Sequence, residues 1–132
     1  MDQQRNKFLE EYQELSQHIH QVKEYTSLLE KHAEELQTLD DALGKTGELK
    51  EGDEILMPLG SGLFCRVGFK GNEKVLVSVG AGVIVEKSFS EAEKTVKKQL
   101  DDVKKVLTDV QMNLNHLVLQ ETELMKKIES LV

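Results

Sequence analysis

Residues 54–86 read EILMPLGSGLFCRVGFKGNEKVLVSVGAGVIVE, and this stretch decides the fold. It contains four short apolar runs: Glu54 to Leu59, Leu63 to Phe69, Lys74 to Val79 and Val83 to Glu86. Each is rich in β-branched or large apolar residues and bounded by glycine, the pattern of strands. Gly60-Ser61-Gly62 and Gly80-Ala81-Gly82 are short enough for tight hairpin turns, with Gly71-Asn72 in the longer link between them. The expectation is two β-hairpins in succession.

Working outward, the composition changes abruptly. All 9 glycines and the single proline lie between Gly44 and Gly82, so the arms on either side contain neither. Charge divides the chain the same way. Residues 1–48 hold 5 basic and 11 acidic groups, residues 49–88 hold 5 and 5, and residues 89–132 hold 7 and 8. In the first arm Phe8, Leu15, Val22, Leu29, Leu36 and Leu43 recur every seven residues, with Tyr12, Ile19, Thr26 and Ala33 interleaved. In the last arm the sevenfold row is Phe89, Val96, Val103, Val110, Leu117, Leu124 and Leu131. Leu100, Leu107, Leu114 and Ile128 interleave with it, broken at Glu121. Alternating steps of three and four over five heptads mark a coiled-coil seam, because an unsupercoiled helix drifts away from a strict seven-residue repeat.

The sequence therefore predicts one α+β unit over 1–132. Residues 1–43 form a first coiled-coil helix closed by Gly44. Residues 44–87 form two β-hairpins, and residues 88–132 a second helix opened by the Ser88/Glu91 capping-box spacing. The helices pack antiparallel, with Tyr12 facing Leu124 and Ile19 facing Leu117 in one register and a shift of one heptad as the alternative, and with the hairpins at the end opposite the termini. Glu121 and Thr26 are expected to weaken the seam. Four short strands on a coiled coil can neither cover their apolar faces nor pair their own edges. Their burial must come from other subunits, copies or relatives of this chain, joining strands into a shared sheet or barrel. The residues assigned to that assembly are Leu56, Leu59, Phe64, Val67, Val75, Val77, Val79, Val83 and Val85.

Several function classes fall away. A lone Cys65 cannot form an internal disulfide, which favours a reducing, cytoplasmic setting; the thiol itself reads as a plain buried or half-buried strand residue. No apolar run is long enough to span a membrane, no signal peptide is visible, and a net charge of -7 disfavours nucleic acid. His18 and His20 diverge on a helix, and Gly80-Ala81-Gly82 leads into a strand rather than a phosphate-binding helix. No metal, cofactor or catalytic residue is expected, and the chain does not read as an enzyme.

Leu56-Met-Pro-Leu-Gly-Ser-Gly-Leu-Phe64, then Val75-Leu-Val-Ser-Val-Gly-Ala-Gly-Val-Ile-Val-Glu-Lys87, then a heptad helix, resembles the α-class subunits of prefoldin, most of all archaeal ones, over essentially the whole chain. The resemblance implies a cytoplasmic hexamer of two α-class and four β-class subunits. In it the coiled coils project from the barrel platform. It implies an ATP-independent holdase that captures unfolded clients at the coiled-coil tips and passes them to a group II chaperonin. Off-seam apolar residues of the last helix concentrate after Val110. Together with the start of the first helix they mark a client-binding tip: Phe8, Leu9, Tyr12, Val118, Leu119, Leu124, Met125, Ile128, Leu131 and Val132; the alternative is that they only thicken the coil or bury against a neighbouring subunit. The competing expectation is a self-assembling coiled-coil scaffold or filament subunit built on the same strands.

Overall fold

The computed structural model describes residues 2–71 and 74–131, in the order α1 (Asp2–Glu48), β1 (Glu54–Gly60), β2 (Leu63–Gly68), β3 (Lys74–Gly80), β4 (Val83–Ser88) and α2 (Phe89–Ser130). Asn72, in the link, lies outside the described residues. The chain divides into two compact units, one of residues 1–34 with 101–132 and one of residues 35–100.

In the first unit the expected seam is present. Ile19, Thr26 and Ile128 are buried, and Tyr12, Leu15, Val22, Val103, Leu107, Leu114 and Leu117 are half-buried. Its register is marked by the Ser16 hydroxyl, which donates to Glu121 Oε2 at 2.8 Å. Ser16 facing Glu121 sits between the expected Tyr12–Leu124 and Ile19–Leu117 pairings. Both polar interruptions of the seam have partners, since Thr26 Oγ1 donates to the Val22 carbonyl at 2.9 Å. Those partners spare both groups the larger penalty of an unsatisfied buried polar group.

In the second unit the two hairpins are separate two-stranded antiparallel sheets. Their registers are twenty residues apart throughout: Leu56 pairs with Arg66 and Leu76 with Glu86, and both ladders slip just before the turn, at Pro58/Gly60 and Ser78/Gly80. Each turn has two central residues with positive φ, Ser61 (51°) with Gly62 (80°) and Ala81 (52°) with Gly82 (75°). Two consecutive positive φ values match the twist of the flanking strands, and glycine adopts them without a Cβ penalty. The middle of the chain is thus one hairpin pattern used twice.

α1 continues past Leu43, through Gly44 and Gly47, to Glu48. Neither glycine has positive φ; that conformation first occurs at Gly52 (95°). Helix extension is supported by Thr46 Oγ1 donating to the Ala42 carbonyl at 2.7 Å. Gly47 also lies against the Phe89 ring, 3.4 Å from where a Cβ would stand. The chain then turns at Lys50–Asp53, where the Lys50 amide donates to Asp53 Oδ2 at 2.8 Å. Phe69 and Asp53 extend the first ladder by one further bond. α2 starts as expected, the Glu91 amide donating to Ser88 Oγ at 3.1 Å. Ser88 ends β4 and caps α2, so strand passes to helix without a loop.

Candidate functional site: an uncovered hairpin surface and an apolar helix-pair end

No side chain among the described residues is fully buried, and the strands are the most uncovered part of the chain. Alternation puts Leu56 and Phe64 on one face of the first hairpin, and Leu76 and Ile84 at the equivalent positions of the second. All four are more than 60% exposed. The opposite faces hold the half-buried Ile55 and Val67, and Val75 and Val77. Beneath the second hairpin, Val75 and Val77 of β3, Leu39 and Leu43 of α1, and Ala92 and Val96 of α2 line a cleft of about 400 Å³.

Of the assembly residues read from sequence, Leu56, Leu59, Phe64, Val79, Val83 and Val85 are exposed, and Val67, Val75 and Val77 are half-buried. Sequence reasoning missed Met57, Leu63, Leu76 and Ile84, which are equally uncovered; their strand alternation was the available signal. It also missed exposed Leu39 at the cleft. Cys65, expected to be at least half-buried, is exposed in β2 opposite Met57.

At the other candidate site, in the first unit, the predicted residues separate into two sets. Ile128 is buried, and Phe8, Tyr12, Leu124 and Leu131 are half-buried along the seam. Leu9, Val118 and Leu119 face outward, the last 62% exposed, and Met125 is half-buried beside them. Val132 lies outside the described residues. Met112, one heptad before Leu119, is 67% exposed and extends the outward row. Tyr25 and Leu28, exposed on α1, were not singled out, although their off-seam positions were visible in the repeat.

Among the described residues, no group of three or more His, Cys, Asp and Glu side chains is placed to hold a metal ion. His20 meets Glu24 at 3.0 Å on the exposed face of α1. Lys97 and Glu93 pair within α2 at 3.3 Å. No helix among the described residues is long and apolar enough to cross a membrane.

Two long helices flank a pair of exposed hairpins, each a separate two-stranded sheet. A family model described as Prefoldin subunit matches residues 8–132. The chain is 30% identical over 128 residues to prefoldin subunit alpha of Thermofilum pendens, covering 97% of this chain and 99% of that protein. It is similar in fold to filamentous PFD from Methanocaldococcus jannaschii, with a TM-score of 0.69 at 20% identity, over 92% of this chain and 98% of that one. The chain belongs to the prefoldin family. It is a chaperone-type subunit of a family that assembles into oligomers with other prefoldin subunits.

Proposed function

We propose that this chain is the α-class subunit of an ATP-independent cytoplasmic holdase that captures non-native polypeptides at the ends of its helix pairs. Two such chains combine with four β-class subunits, and clients pass to a group II chaperonin. The observation that carries the capture step is the outward row Met112, Val118 and Leu119, with Leu9 from α1, outside a seam that is already filled. Apolar area that no neighbouring element uses is available for another apolar surface, and methionine adapts its shape to varied ones. The strand faces are the assembly surface on this reading, so assembly and capture occupy different residues. Replacement of Leu9, Met112, Val118 and Leu119 together by serine tests it by light scattering of an aggregating client. Suppression of aggregation falls while the oligomer persists; unchanged suppression refutes capture at this end.

A self-assembling scaffold is the second reading. It is favoured by one observation, that both hairpins carry free outer edges and equivalent apolar faces.

A further inference from the structure

Charge is unbalanced around the apolar end of the helix pair. Segments 2–16 and 117–131 hold seven carboxylates against four cations. The ion pairs among the described residues are His20–Glu24, Lys74–Glu86 and Lys97–Glu93, and none involves those seven groups. Within this end Tyr12, Glu121, Thr122, Met125, Lys126 and Glu129 line a cleft of about 330 Å³. That is at the bottom of the roughly 300–1,000 Å³ range of small-molecule pockets, a size suited to one or two side chains. Thr122, Met125 and Glu129 follow one another at helical spacing along one face of α2, so the apolar contact that Met125 makes opposite Tyr12 is followed by a carboxylate. Ser16 engages only Oε2 of Glu121. Lys126 offsets one of the two cleft carboxylates without reversing the balance of the surrounding surface.

Apolar contact alone does not distinguish one greasy segment from another, whereas uncompensated carboxylates around the contact do. We propose that this end selects apolar client segments flanked by Lys or Arg. An apolar side chain enters between Tyr12 and Met125, and flanking cations meet Glu129 and the remaining oxygen of Glu121. The inference rests on the holdase reading and names the class of client it favours.

The test uses the full chain and three labelled peptides sharing one apolar core, flanked by Lys and Arg, by Asp and Glu, or by Ser. Binding is measured by fluorescence anisotropy at low and high salt. The basic-flanked peptide binds roughly threefold to tenfold more tightly than the Ser-flanked one, the range two exposed ion pairs supply. The advantage shrinks toward 1 M salt, where the Debye length is about 3 Å. Glu121→Gln with Glu129→Gln removes the preference of the basic-flanked peptide over the Ser-flanked one. Equal binding of all three peptides, or tighter binding of the acidic one, overturns the selection but not the capture. Binding of none overturns both. The salt series on the unsubstituted chain decides the matter even if the double variant folds poorly.

Discussion

At the scale of single residues, the seam is decided by pairs whose partners lie far apart in the chain. Glu121 looks like a defect in a heptad row, yet it meets Ser16 across the helix pair. A polar pair at seam positions disfavours slipped registers, in which each group would lose its partner. Ser16→Ala leaves a half-buried carboxylate oxygen without its donor and costs about 1 kcal/mol, the scale of one partly exposed hydrogen bond. Thermal unfolding followed by circular dichroism checks this; a Tm unchanged or raised contradicts the role given to the pair. The heptads revealed that residue 121 sits in the seam, but not that a serine 105 positions earlier answers it. Single-sequence periodicity identifies faces, and only pairing supplies the partner.

At the scale of elements, most of the architecture was legible because each element follows a local rule. Heptads mark the helices, glycine-bounded β-branched runs mark the strands, and Ser88 marks the start of α2. The end of α1 was not legible. A glycine after a periodic run ordinarily takes the left-handed conformation that stops a helix, but Gly44 is helical here and the helix runs on to Glu48. The contact between Gly47 and Phe89 joins residues 42 positions apart, which no local pattern contains. The two readings of Gly44 make opposite predictions. A helical glycine with open space around its Cβ position gains about 1 kcal/mol on replacement by alanine. A left-handed one would lose stability, since alanine resists positive φ. Gly44→Ala is expected to raise the Tm, and a fall would restore the stop at residue 44.

For the whole molecule, the governing fact is how little one chain buries by itself. Only Ile19, Leu36, Val96, Leu100 and Ile128 are buried apolar residues among those described, while Leu56, Phe64, Leu76 and Ile84 stand open on the hairpins. The need for partners was legible from sequence, since four short strands cannot finish their own edges. Which strand faces stay open was not, because alternation separates two faces without saying which one the chain covers. Leu76, 70% exposed between the half-buried Val75 and Val77, shows the difference. The central claim is that this uncovered surface is an assembly surface for a closed set of subunits. Native mass measurement of the chain mixed with its β-class partner tests it most directly. The account predicts a single closed complex of two copies of this chain with four of the partner, lost when Leu76 and Ile84 are replaced together by lysine. A chain that stays monomeric in the presence of that partner, or forms only open-ended homopolymers, would contradict it.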